Sequence, residues 1–269
     1  MGDMVGDLVC VLGTAGVPPG DVVCLGHDWG SQICYEAARM RPDIFDSVIG
    51  IALPYINYDH PFSPSTFGAR LMHRIRTFLL PFITSISYQT FFADNTHQAA
   101  EELGTNVRRT LTAAFRTAKC AVPKMFLRDV ATFMGSWNGL EIPSIPFFSE
   151  AEEEYVVEQY QIQGFAHTLQ FYTHGNRRGS WELAQEQGNF TVPQLALSVL
   201  PTNDPVANWR IAEFFMQSKK YVPNLHTQFV PGAHWPHLEH PHEINKLIKT
   251  WLDQSFGAAR TSAAVRDEM

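Results

Sequence analysis

No apolar run in these 269 residues reaches the roughly 20 that a helix needs to cross a bilayer, so no membrane span is expected. Basic charge is also short, with 20 Lys and Arg against 27 Asp and Glu. A net charge of −7 excludes the electrostatic footprint of a nucleic-acid binder. Cysteine is scarce, and Cys10, Cys24, Cys34 and Cys120 show neither metal-binding nor redox spacing. They read as reduced core residues of an intracellular, cytoplasmic protein. Asp3 and Asp7 near the start do not suit a usual signal peptide, so the sequon Asn189-Phe190-Thr191 carries little weight. There are no internal repeats. What is abundant is ordinary core material: 45% hydrophobic and 17% charged residues, enough for one large α/β domain carrying an inserted smaller one.

The most informative stretch is Asp21–Met40. Val22–Leu25 is an apolar run suited to a buried strand, Gly26-His27-Asp28-Trp29-Gly30 follows, and Ile33, Ala37, Ala38 and Met40 then recur at helical spacing. Strand, tight turn and helix, with small residues two before and two after a reactive side chain, is the layout of a nucleophile elbow. Such a turn needs Gly on both sides for close approach. It also aims free N–H groups of the helix start at the reacting carbon. The central residue is neither Ser nor Cys but Asp28, and a carboxylate nucleophile forms an alkyl ester.

Around this elbow the pattern alternates. Met4, Val5, Leu8, Val9, Val11 and Leu12 predict a first helix that Pro18-Pro19-Gly20 ends. Ser47–Leu53 predicts a strand. From Tyr55 to Asn189 the character becomes helical and rich in Phe, a lid (55–189) inserted in a core made of 1–54 and 190–256. Within it, Leu71–Ile83 reads as a lid helix in preference to a basic membrane-surface helix, Asn106–Met134 as largely helical, and Ser149–Glu152 as a capping box. The acidic cluster Glu150, Glu152, Glu153 and Glu154 suits a helix N-terminus better than a metal. Leu195–Leu200 and Leu225–Val230 predict strands, Val206–Gln217 and Glu243–Ser255 helices, and 257–269 a disordered tail.

In an open α/β sheet, reactive groups gather at the carboxyl ends of strands. Asp204 follows one predicted strand and His234 the next, 30 residues on, so nucleophile, acid and histidine occur in that order. His237, His240 and His242 lie close by on a Pro-broken stretch without metal-ligand spacing.

At these residues the chain resembles the soluble epoxide hydrolases of the α/β-hydrolase fold, most specifically at GHDWG and at GAHWPHLEHPHEIN. The resemblance implies a mostly parallel sheet. It also implies two lid tyrosines over the nucleophile, matched by Tyr88 in Tyr88-Gln89-Thr90-Phe91-Phe92 and by Tyr172 after Gly164-Phe165 and Leu169. Asp28 would attack the epoxide, Tyr88 and Tyr172 would assist the ring oxygen, and His234 with Asp204 would activate water. Trp29 would supply an oxyanion N–H, with His27 and Gln89 beside the substrate. No cofactor or metal is implied, and the partners are a small apolar epoxide and water. Two alternatives stand beside this: a haloalkane dehalogenase with the same Asp nucleophile, and an inactive truncated product. The second arises because family members carry several strands and a His-Gly-x-Pro loop ahead of the first helix seen here. The N-terminal strands are therefore expected to be missing, which would leave one edge of the elbow strand unpaired and one oxyanion donor lost.

Overall fold

The computed structural model describes residues 1–60 and 85–267, the side chains of 258–267 excepted. The predicted helix at Leu71–Ile83 lies outside the described residues. Helix α1 (Gly2–Thr14) leads into strand β1 (Val22–His27), helix α2 (Trp29–Met40) and strand β2 (Phe45–Ile51). Next come α3 (Tyr88–Asp94), α4 (Thr96–Thr105), α5 (Val107–Ala114), α6 (Glu150–Gln163) and α7 (His174–Gln187). Strand β3 (Leu195–Pro201), α8 (Trp209–Met216), α9 (Ser218–Tyr221), β4 (Leu225–Val230), α10 (Pro236–Glu239) and α11 (Pro241–Asp267) complete the order.

The four strands pair in parallel in the order β1-β2-β3-β4. Their side chains alternate between two faces, as a pleated strand requires. Val48 and Ala196 pack with Cys34, Tyr35, Ala37 and Val5 of α1 and α2. Ile49, Ile51, Leu197 and Val199 pack instead with Ile244 and Trp251 of α11. That helix does not cover β1, whose Val23 and Leu25 are 38% and 51% exposed at the sheet edge. The register aligns the carboxyl ends, His27 opposite Ile51, Ile51 opposite Val199, and Pro201 opposite Val230. The loops that follow β1, β3 and β4 are thereby brought to one rim.

Buried polar contacts fix the two junctions of the helical stretch to α2. The Gln32 amide meets both the N–H and the C=O of Ile56, at 2.9 and 2.8 Å. Arg39, in a buried pair with Glu36, donates to Asn189 O, and the Tyr55 hydroxyl donates to Phe190 O. Each such group would be costly to bury unpaired.

Several expectations are corrected. Cys24 and Cys34 are not reduced but joined in a disulfide, because strand and helix on either side of the tight turn bring their Cα atoms to 5.3 Å. Cys10 is exposed rather than in the core. The helix expected over Asn106–Met134 is confined to α5; beyond it Phe115 packs on Trp235 with ring centroids 4.4 Å apart and Arg116 donates to Ser144 O. Tertiary contacts there override helical periodicity, and Pro123 has no N–H to give a helix. Helix α8 starts at Trp209 instead of Val206, since the Asp204 carboxylate takes the Val206 N–H and Asn208 caps the helix. Strand β2 ends at Ile51, with Ala52 turning at φ +60°. The capping box at Ser149 opens α6 as the sequence predicts. Helix α11 runs past Ser255 to Asp267, over residues for which composition suggests no order.

Candidate active site

Asp28 sits between β1 and α2 with φ +51° and ψ −123°, a conformation that a residue with a Cβ adopts only under strong local constraint. The constraint is visible. Asp28 N–H donates to Ile51 O, and the Ser31 hydroxyl lies 2.8 Å from Gly26 O and 2.9 Å from both Ile51 O and Ile51 N. A Cβ added at Gly26 would stand 2.2 Å from the Gly30 backbone, whereas one at Gly30 would meet nothing within 4 Å. Close approach therefore demands glycine at 26 alone, a correction to the expectation that it is needed on both sides.

His234, beyond the end of β4, places Nδ1 2.8 Å from Asp204 Oδ2 and Nε2 3.8 Å from Asp28 Oδ1. Nδ1 donates to Asp204, whose fully buried carboxylate also accepts from Trp209 Nε1 at 2.7 Å and from Val206 N–H at 2.8 Å. Burial opposes charge on His234, but Asp204 and Asp28 outweigh it and raise its pKa to about 9. Burial likewise raises the Asp28 carboxyl, tempered by His234 and by the Trp29 N–H.

The two tyrosines arrive from different elements, Tyr88 from α3 and Tyr172 from a 3₁₀ turn at Thr168–Tyr172, with ring centroids 6.1 Å apart. Burial first, and then neighbouring groups that include Asp28, push both hydroxyls above the ordinary tyrosine value, so they remain protonated at neutral pH. Asp28, Trp29, His234, Tyr88 and Tyr172 all line one cavity of about 360 Å³. Its remaining wall is mainly apolar, including Phe92, Leu111, Phe133, Phe165 and Trp235.

Asp204 stands behind His234 and does not reach the cavity. His27 borders it but directs Nε2 to His234 O at 2.8 Å and stacks on Trp235, so its visible role is to hold the histidine loop. Burial and the facing His234 push its pKa down to about 2. Gln89 lies off the main cavity, with Nε2 3.4 Å from the Tyr88 hydroxyl and Oε1 accepting from Arg177. Of the other histidines, His237 packs on His27 at 4.7 Å and His240 lies 3.7 Å from Glu239. The acidic first turn of α6 serves Ser149 through Glu152, and Arg108 through Glu153 and Glu154. Sequence reasoning missed Trp209 and Arg177. No spacing rule marks an indole that will meet an aspartate, or an arginine that will meet an amide 88 residues away. Among the described residues, no helix is long and apolar enough to cross a membrane.

Residues 2–247 match the model of the Alpha/beta hydrolase family. The chain is 28% identical over 254 residues to bifunctional epoxide hydrolase 2 of Mus musculus, covering 91% of this chain but 41% of that one. It therefore spans well under half the length of that relative. To epoxide hydrolase B of Mycobacterium tuberculosis it is 27% identical over 280 residues, covering 93% of this chain and 76% of the relative. Among solved structures, epoxide hydrolase A from Mycobacterium thermoresistibile is similar with a TM-score of 0.68 at 22% identity, over 91% of this chain and 72% of that one. A mutant epoxide hydrolase of Vigna radiata is similar with a TM-score of 0.70 at 21% identity, over 93% and 75%. These structural likenesses show the fold.

Proposed function

The chain belongs to the alpha/beta hydrolase family, and from that premise we propose that it is an epoxide hydrolase whose nucleophile is Asp28. The observation that carries this reading is the convergence of Asp28, the His234–Asp204 pair and two protonated tyrosines on one apolar cavity. An Asp28 oxygen forms a bond to an epoxide carbon as the ring C–O bond breaks. An alkoxide is a poor leaving group, so a tyrosine hydroxyl delivers its proton to the departing oxygen. The product of this step is an Asp28 ester carrying a free hydroxyl.

Hydrolysis then falls to His234. While Asp28 is ionised, its charge helps to keep His234 protonated. Esterification removes that charge, which lets the imidazolium give up its proton through solvent to the tyrosinate left by the first step, and so become a base. It takes a proton from water, the hydroxide oxygen attacks the Asp28 carbonyl carbon, and the Trp29 N–H supports the oxyanion. The tetrahedral intermediate then collapses with cleavage of the ester C–O bond, His234 protonates the departing oxygen to give the vicinal diol, and the Asp28 carboxyl returns its proton to His234 to restore the carboxylate. No cofactor takes part, the cavity's apolar wall favours an apolar epoxide, and residues 55–189 act as the lid. The dehalogenase alternative needs indole N–H donors for a halide. Trp29 at the cavity wall serves both readings, but Trp235 donates its indole N–H to Ala114 O at 3.0 Å, and the two lid tyrosines favour the epoxide.

The test is to trap the ester. His234→Gln should accumulate a covalent adduct on Asp28 whose mass increase equals that of the epoxide, and Asp28→Asn should abolish it. Unmodified protein after long incubation, or turnover of haloalkanes without epoxides, would overturn the assignment.

A further inference from the structure

Arg177, on the first turns of α7, connects the lid tyrosines to a charge outside the cavity. Its Nη2 donates to Gln89 Oε1 at 2.9 Å and its Nε to Phe171 O at 3.2 Å. The guanidinium lies 5.7 Å from the Trp29 ring centroid and 5.5 Å from that of Tyr172. A guanidinium can only donate, so Gln89 must turn its oxygen to Arg177. The amide NH₂ is then left facing the Tyr88 hydroxyl 3.4 Å away, and an amide NH₂ also only donates. The Tyr88 oxygen is thereby made an acceptor on its lid side, and its own proton must point elsewhere.

We propose that Arg177 is a positioning residue for ring opening, acting through Gln89 to direct the Tyr88 proton into the cavity above Asp28. The inference rests on the epoxide hydrolase reading and adds to it a residue that never touches substrate. With the amide reversed, Gln89 Oε1 would compete with the epoxide oxygen for that proton. The charged groups that bear on Tyr88 from the other side are Asp28 and Asp204, with Tyr172 beside it. Those facing Arg177 are Tyr172, Tyr88 and Tyr58, and Asp3 and His167 share with it the wall of a separate cavity of about 250 Å³. The Tyr172 hydroxyl also shares a hydrogen bond with Tyr88, in the sense that makes the Tyr88 oxygen the acceptor, so it and Gln89 together leave the Tyr88 proton to the cavity.

Ester formation, followed by rapid quenching and mass spectrometry in the His234→Gln background, separates this role from packing. Arg177→Met should slow ester formation about tenfold, the scale of losing one charge-assisted hydrogen bond, and Arg177→Lys, which keeps a donor, should recover part of that loss. With His234 intact, ester breakdown should change less than twofold. In a Tyr88→Phe background, Arg177→Met should cost little more, because the hydroxyl that it orients is already gone. Equal slowing of both half-reactions, or an undiminished loss without the Tyr88 hydroxyl, would overturn the inference while leaving the proposed function intact. If the protein with native Arg177 forms no ester with any epoxide, the proposed function fails and takes this inference with it.

Discussion

Asp28 and His234 modulate one another across 3.8 Å, and that coupling has a readable pH signature. In the resting site His234 is held near a pKa of about 9, so it is an imidazolium at neutral pH. In the ester of the proposed reaction, Asp28 is neutral and one of the influences that raise His234 is gone. Breakdown of the ester should therefore increase with pH along a limb whose midpoint lies below 9, since only the neutral imidazole accepts a proton. Asp204→Asn should move that midpoint lower still, because burial then acts against less opposition. The same change should cut the plateau by up to about 10⁴, as expected when a histidine loses the carboxylate that sets its tautomer. Single-turnover rates measured across pH would check both effects. A limb centred at or above 9 in the ester would contradict the coupling.

At the scale of elements, the contact between β1 and α2 decides whether Asp28 can be presented at all. The strand and helix meet so closely at Gly26 that even a methyl group has no room. Gly26→Ala should therefore destabilise the protein by about 3 kcal/mol or more, in the range of severe overpacking. Gly30→Ala meets open space and should cost less than about 1 kcal/mol. Denaturant unfolding of the two variants side by side would check this, and equal losses would mean that the turn relaxes. The Cys24–Cys34 disulfide clasps the same two elements from within. It belongs to the elbow's construction, although nothing in the spacing of the cysteines announces it.

For the molecule as a whole, the parallel sheet brings three loops to one rim and, among the described residues, β1 is an edge strand. Val23 and Leu25 are exposed on that strand, whereas Ile49, opposite Leu25 on β2, lies beneath α11. An apolar edge strand readily pairs with another molecule. Light scattering should show association that grows with protein concentration, and Leu25→Lys should reduce it without moving the Cys24–Cys34 or Asp28 positions. Association undiminished by the charge would direct attention away from this edge.

Much of the architecture was legible in the sequence because it follows from local rules. Apolar runs of strand length, helical periodicity and the Ser149 capping box each depend on residues within a few positions of one another. β4 and the start of α6 accordingly fall where the pattern predicts. The elbow was legible for the same reason: strand, turn and helix occupy one short stretch, so Asp28 stands out as its centre. Chain order pointed to Asp204 and His234 because strand ends share one rim. Contacts between distant segments were decided only by the tertiary structure. It made Trp209 a partner of Asp204, drew Gln89 away from the main cavity to Arg177, turned His27 toward the histidine loop, and dissolved the helical pattern after Ala114. Such contacts join side chains that share no periodicity, and their energies depend on burial and geometry that arise only once the sheet has assembled.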